Sequence, residues 1–333
     1  MAVSEQPIQP ASRPGGTGIM RILLRQETVL FIILVIGVLL LSTQTDKFLT
    51  KDNILNQGRL LTEVALVAMP MTFIIITGGI DLSVGSILGL TAIMLGYGWK
   101  NMGMPLEVAI VFAIAVGTFA GFVNGFFIVR LGVPPLIMTL ATLALYRGLA
   151  EGISQARSVR GYPDWFFQLG QKDLAGIPTQ LWVAVIAIII TGVVLARTTF
   201  GRGLYAIGNN ELGARFSGIP VARFKLLIYT FSGFMAALAG YIYVSRVSTT
   251  RSDMGTGLEL DVIAAVVLGG TSIFGGSGTV LGTVIGLIMI QLLKNGLSLA
   301  GVKGDATIVI VGVVLILSIM VNNFIQRRTG ASA

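Results

Sequence analysis

Asp81 and its neighbours are the polar groups most out of place in this chain. The stretch Ile74-Ile75-Ile76-Thr77-Gly78-Gly79-Ile80-Asp81-Leu82-Ser83-Val84-Gly85-Ser86 sets a carboxylate and several hydroxyls between two apolar runs, with no loop of useful length. A carboxylate at mid-membrane depth costs roughly 2.5–3.5 kcal/mol on insertion scales. Something must offset that cost, locally or through function. Coupling to H⁺ or Na⁺ usually shows as several ionisable groups at that depth, and Asp81 is almost alone. Hydrolysis is the second possibility. Gly275-Gly276-Ser277-Gly278 has the G-x-S-G form of an intramembrane serine nucleophile, but such a serine needs a base and the chain has no His. Gly78-Gly79-Ile80-Asp81 comes close to the G-x-G-D of intramembrane aspartyl proteases, but its second Gly is misplaced and no Tyr-Asp partner stands in a span. The third possibility is structural. Asp81 would cap a helix starting at Leu82, at the favourable end of its dipole. Gly78 and Gly79 would permit the tight reversal.

A second informative stretch runs from Gly201 to Pro220. Asn209 or Asn210 can cap a short helix, Glu211 falls in its first turn, and Gly218 followed by Pro220 stops it. Leu212 and Phe216, at i and i+4, give that helix one apolar face. It fits equally an interfacial helix lying on lipid headgroups and a docking helix for a cytoplasmic partner.

The elements that position these residues are membrane spans. The sequence is 54% hydrophobic and 11% charged, where a soluble domain is nearer 25% charged, so this is a polytopic membrane protein. With no Cys there is no disulfide, thiolate nucleophile or Cys-held metal, and with no His the commonest metal ligand is gone too. The net charge of +8 is what positive-inside topology requires, rather than a sign of nucleic acid. The 43 glycines suit close helix packing in lipid.

Residues 1–25, with Pro7, Pro10, Pro14 and Gly15-Gly16-Thr17-Gly18, read as a disordered cytoplasmic tail. A transmembrane domain is expected over 26–325 and a short cytoplasmic tail over 326–333. Apolar runs fall at about Val29–Leu41, Leu60–Thr77, Leu82–Gly98, Leu106–Val129, Leu136–Ala150, Leu181–Ala196, Leu226–Val244, Val262–Phe274, Val280–Leu293 and Ala306–Val321. The fold expected is all-α, with about ten transmembrane helices, some short or broken. No A-x-A-type cleavage site follows the first run, so it is expected to stay as a span.

Basic residues place Arg13, Arg21, Arg25, the Arg197–Lys225 segment and Arg327-Arg328 inside. The Gly78–Asp81 turn falls at the inner boundary, and Ser245–Asp261 outside. Arg147 and Glu63 fall near span ends, where Arg147 can snorkel. Ile80–Gly89 and Ile273–Gly282 echo each other weakly, as repeated halves of a transporter would.

Four motifs, in this order and spacing, carry a family resemblance over roughly residues 25–325. They are Thr77–Ser86; Asn124-Gly125 with Pro134-Pro135-Leu136-Ile137-Met138-Thr139-Leu140-Ala141-Thr142 and Arg147-Gly148; Gly201–Ile219; and Ala264–Gly278. The chain resembles the permease subunit of bacterial ATP-binding-cassette importers for monosaccharides, in the ribose, xylose, rhamnose and autoinducer-2 branch. The resemblance implies a bacterial inner-membrane protein with both termini cytoplasmic. It also implies partners: cytoplasmic ATPase subunits, a second permease subunit (the same or a related chain), a periplasmic sugar-binding protein and membrane lipid. ATP and Mg would sit on the ATPase, leaving no cofactor and no enzymatic activity on this chain. The sequence agrees on one point, because it contains no G-x-x-x-x-G-K-[ST] phosphate loop. The resemblance puts an ATPase-docking loop at 201–220, with Gly208, Asn209, Glu211, Ala214, Arg215 and Gly218 as its docking residues.

A neutral polyol needs weak, exchangeable hydrogen bonds and no deep fixed charge along its path. The candidates are Thr77, Ser83, Ser86, Asn124, Thr139, Thr142 and Tyr146, with Asp81 at the bend. Each has a bland alternative, since Ser, Thr and Asn in membrane helices commonly bond their own backbone or a neighbouring helix. A secondary transporter or channel for a small polar solute is the rival reading.

Overall fold

The computed structural model describes residues 26–44, 46–304, 306–313 and 316. The expected tails at 1–25 and 326–333, and most of the last expected span, lie outside the described residues. The helices are α1 (Gln26–Gln44), α2 (Lys51–Ile76), α3 (Val84–Lys100), α4 (Leu106–Arg130), α5 (Pro135–Ser154), α6 (Thr179–Arg197), α7 (Thr199–Asn209), α8 (Glu211–Phe216), α9 (Val221–Val247), α10 (Leu258–Leu268) and α11 (Val280–Leu299). A 3₁₀ turn spans Asp164–Gln168. The short strands β1 (Val159–Arg160) and β4 (Thr249–Thr250) pair antiparallel, as do β2 (Asp173–Leu174) and β3 (Ile177–Pro178).

A helix stands at every expected apolar run up to Val280–Leu293. Among the described residues, six helices are long and apolar enough to cross a membrane: α2, α4, α5, α6, α9 and α11. Several begin directly after a proline, namely Pro105, Pro134, Pro178 and Pro220. The missing proline N–H falls where a helix start would leave it unpaired anyway.

The chain differs from its sequence reading at α10. The run expected over Val262–Phe274 is helical only as far as Leu268, and α10 begins earlier, at Leu258. At about 1.5 Å per residue, its 11 residues reach about half-way through a bilayer core. The segment before it is not a surface loop throughout. Along α3, Gly96 meets Thr250, Gly89 meets the Ser252 and Met254 carbonyls, and Gly85 meets the Gly255 carbonyl. From Gly96 to Gly85 is about 16 Å of helix. The segment therefore descends beside α3, and α10 starts deep in the molecule. Arg147 turns inward rather than snorkelling: its guanidinium donates to the Met254 carbonyl at 2.9 Å and to the Ser252 carbonyl. Irregular backbone at such depth is tolerated only where protein covers it, and the donors here are Arg147 and the wall is the glycine face of α3.

Glycine also sets a close helix contact. Gly117, Gly121 and Gly125 recur every four residues on α4 and pack against α9. A Cβ at Gly121 would lie 2.7 Å from the Gly233 Cα, and one at Gly233 would lie 2.8 Å from the Gly121 Cα. In lipid, where no hydrophobic force drives helices together, such close approach supplies the packing energy. Gly121→Ala should therefore push α4 from α9 and destabilise the protein by about 1–3 kcal/mol. Gly192→Ala, whose Cβ would meet only Val280 side-chain carbons at 3.7 Å or more, should stay within about 0.5 kcal/mol. Unfolding of the detergent-solubilised variants measures both.

Candidate transport site and its cytoplasmic lever

Asp81 sits in the bend between α2 and α3 with no solvent exposure. The helix starts two residues later than expected, with Ser83 at its N-cap position. Asp81 Oδ1 accepts from the Ser83 backbone N–H at 3.0 Å and from Ser83 Oγ at 2.6 Å. Oδ2 accepts from Ser232 Oγ of α9 at 2.9 Å. Ser83 Oγ in turn accepts from Asn124 Nδ2 of α4 at 2.8 Å. Tyr146 of α5 donates to the Ala120 carbonyl of α4 at 3.0 Å, with Asn124 Oδ1 at 3.5 Å. Thr139 Oγ1 lies within bonding distance of the Ile80 carbonyl (3.1 Å) and of its own Pro135 carbonyl (2.9 Å). One network thus joins the bend, α3, α4, α5 and α9.

The bend lies further into the bundle than the ends of the helices it is bonded to. Ser83 is level with Asn124, six residues or about 9 Å before the end of α4 at Arg130. Ser232 is eleven residues, or about 16 Å, into α9. Asp81 is therefore well inside the bundle. Its desolvation is offset by hydroxyl and amide donors, not by nearness to water.

All eight candidates, Thr77, Asp81, Ser83, Ser86, Asn124, Thr139, Thr142 and Tyr146, are buried in the chain. Thr77, Ser86 and Thr142 bond carbonyls of their own stretch: Ile74 at 2.8 Å, Ser83 at 2.7 Å and Met138 at 3.0 Å. Sequence reading missed Ser232 and Tyr229, which lie three residues apart on α9. The Tyr229 hydroxyl is buried and makes no hydrogen bond among the described residues, and a Cβ on Gly79 would come within 2.6 Å of it. A tyrosine and a serine on one face of an apolar span were the available signal. Glu63, read as lying near a span end, is buried and paired with Arg246 Nε of α9 at 2.7 Å.

At the other end of the bend lie α7 and α8. Thr198 caps α7 through the Gly201 N–H, and Asn210 Oδ1 caps α8 through the Gly213 N–H at 2.8 Å. Gly218, at φ +83°, ends α8. Glu211 anchors α8 to the foot of α9, accepting from Lys225 Nζ at 2.5 Å and from Arg215 at 3.1 Å. Gly208 packs against the Ile76 carbonyl and the Gly276 amide, with no room for a Cβ, and the Gly276 N–H itself donates to the Ile76 carbonyl at 2.9 Å. Tyr205 OH donates to the Gly278 carbonyl at 2.7 Å. The two turns whose sequences echo each other therefore meet, and α7 rests on both. Leu212 and Phe216 are left outward, 61% and 84% exposed.

Residues 53–319 match the family model described as "Branched-chain amino acid transport system / permease component". The chain belongs to this permease family. It is 40% identical over 294 residues to the ribose import permease protein RbsC of Bacillus subtilis, covering 88% of this chain and 91% of that one. It is 36% identical over 307 residues to the RbsC protein of Escherichia coli strain K12, covering 90% and 94%. It is 35% identical over 300 residues to the autoinducer 2 import system permease protein LsrD of Photorhabdus luminescens, covering 88% and 90%. No solved structure matches. As a member of this family the chain is a transport permease and not a catalyst.

Asp81→Asn keeps an acceptor for Ser83, and the Ser232 hydroxyl can rotate to accept from the new amide, so folding and transport should change little. Asp81→Ala leaves the Ser83 and Ser232 donors unpaired, at about 1–3 kcal/mol for each buried group. Membrane yield and thermal unfolding of the two variants separate these cases. At Glu211, burial pushes the carboxyl up, but the Lys225 hydrogen bond and charge, with Arg215, outweigh it and hold the group below its ordinary value. Its anchoring is therefore present above the ordinary carboxylate range and is lost as pH falls through the depressed value. The protection of the 211–216 amides against hydrogen exchange, taken relative to the intrinsic exchange rate at each pH, should fall on acidification in the native chain. In Glu211→Gln that protection should already be low and should not change with pH.

Proposed function

We infer that the chain is the membrane-spanning subunit of an ATP-powered importer and forms half of the inner-membrane pathway for a monosaccharide or a sugar-like autoinducer. The observation that carries this reading is near full-length similarity to ribose and autoinducer 2 permeases. The chain has no phosphate-binding loop, so the energy comes from partner ATPases holding ATP and Mg. A second permease subunit completes the path, and a periplasmic sugar-binding protein delivers the substrate. Both termini lie on the cytoplasmic face with α7 and α8.

The packing supports a mechanism. ATPases that close on ATP press on α7 and α8, with Gly208, Asn209, Glu211, Ala214, Arg215 and Gly218 in the docking element. Leu212 and Phe216 offer the outward apolar contact. Glu211 is committed to Lys225 and Arg215, so it holds the element in shape and the partner is met by its neighbours. Because α7 rests on the turn after Ile76 and on the loop at Gly276–Gly278, its displacement moves the starts of α3 and α11 together. The network from Thr77 to Tyr146 then rocks as one body, changing which side of the membrane the path faces.

Replacing Leu212 and Phe216 together by Ser should lower sugar-stimulated ATP hydrolysis and uptake at least tenfold in proteoliposomes with the partner subunits. Insertion and unfolding temperature of the permease should be unchanged. Normal coupled uptake by that variant would overturn the assignment of this face.

A further inference from the structure

Between the 3₁₀ turn, the β2–β3 hairpin and α9 lies a hollow of about 500 Å³ that belongs neither to the Asp81 network nor to the lever. Trp165, Gln168, Lys172, Asp173, Thr179 and Tyr241 line it. It stands at the N-terminal end of α6, whereas α7 and α8 follow the C-terminal end of the same helix. The hollow and the lever are therefore on opposite faces of a membrane that α6 crosses.

We propose that this hollow is an outer binding subsite for the monosaccharide, with Trp165 as its platform. Sugars are held by an apolar face laid on an aromatic ring and by directional hydrogen bonds around the rim. Both parts are present. Trp165 is 39% exposed and stands edge-to-face on Phe166, with centroids 6.2 Å apart. Phe166 is wholly buried and stacks on Tyr162 at 4.4 Å, which stacks on Trp99 at 4.6 Å. Tyr241 of the lining closes on Phe166 at 5.5 Å.

The backbone under the platform is pinned as well. Ser245 Oγ donates to the Phe166 carbonyl at 2.7 Å and accepts from the Gly170 N–H at 2.9 Å. Gln171 bonds the Arg246 carbonyl and Ser248 Oγ. A tryptophan held this firmly loses little freedom when a ring settles on it.

The rim keeps bonding capacity in reserve. Asp173 spends Oδ1 on Arg59 at 2.5 Å and keeps Oδ2. Thr179 is committed to the Lys172 carbonyl at 2.9 Å. The Gln168 amide and the Lys172 ammonium make no hydrogen bond among the described residues. An amide, an ammonium and a carboxylate oxygen beside an aromatic face match the hydroxyls of a neutral polyol. The hollow has room for one such ring.

The proposal rests on the reading of the chain as a monosaccharide permease, and two experiments keep the two apart. First, the full-length chain in phosphatidylcholine nanodiscs is dialysed to equilibrium against radiolabelled D-ribose, D-xylose and L-rhamnose. At least one should bind at millimolar concentration. Trp165→Ala should weaken it at least tenfold, Gln168→Ala a few-fold, and Trp165→Phe little. Trp165→Phe also guards against misfolding of the alanine variant, since it keeps the ring on Phe166. Second, uptake of the same sugars is measured in cells carrying the complete importer. Uptake of a sugar that the nanodisc chain does not bind, or binds equally after both Trp165 replacements, overturns the subsite and leaves the permease reading standing. No uptake of any monosaccharide overturns the permease reading itself. Displacement of the bound sugar by phosphatidylglycerol in the disc, with Lys172→Gln abolishing the displacement, would make the hollow a lipid-headgroup site and overturn the sugar assignment.

Discussion

A carboxyl group with no access to water must find its donors in the protein, and Asp81 finds them on separate elements. Its oxygens accept from Ser83 at the start of α3 and from Ser232 of α9, and Ser83 passes the connection to Asn124 of α4. Hydrocarbon offers no alternative partner, so separating these helices exposes unpaired groups at full cost. The network therefore acts as a fastener whose members move together. Its donors are neutral, and no fixed cation stands among the groups bonded to Asp81. A rearranging bundle can shift such a network without breaking an ion pair in a low-dielectric interior.

Close backbone approach is the second constraint, and it links the fastener to the lever. Gly121 and Gly233 let α4 and α9 touch, and these two helices carry Asn124 and Ser232. Gly208 lets α7 rest on the carbonyl that ends α2. Gly85, Gly89 and Gly96 make the channel in which the segment before α10 descends. Small residues at each place serve one purpose, to bring backbone against backbone where side chains would hold it off. Motion applied at the lever is therefore transmitted through rigid contacts rather than through side-chain cushions.

Much of this was legible in the linear chain because it depends on local physics. The apolar runs located the helices, and a small polar cap located the start of α8. Helix α8 was readable from Asn210, Glu211 and Gly218, whose capping and stop roles act within a few residues, whereas the helix α7 before it was not read. Asp81 was recognisable as anomalous from its neighbours alone, and Asn124 and Tyr146 as polar groups in apolar spans. What local reading missed involved distance in sequence. Ser232 is 151 residues from Asp81, Arg246 is 183 from Glu63, and the Met254 carbonyl is 107 from Arg147. No pattern within a helix announces such partners.

That this is a helical membrane protein without its own phosphate-binding loop, carrying a buried-type carboxylate at a glycine bend and a capped helix with one apolar face, can be read from the linear chain. Those properties follow from hydropathy, residue chemistry and helix-end stereochemistry, which act over one or two turns. How far into the bundle Asp81 lies, which hydroxyl groups match it, the descent of the segment before α10 and the meeting of the two echoing turns under α7 emerge only when the helices are packed. Depth and partnership depend on how whole helices cross and slide against one another. That is set by the sum of many glycine-mediated contacts, and no single stretch of the chain encodes it.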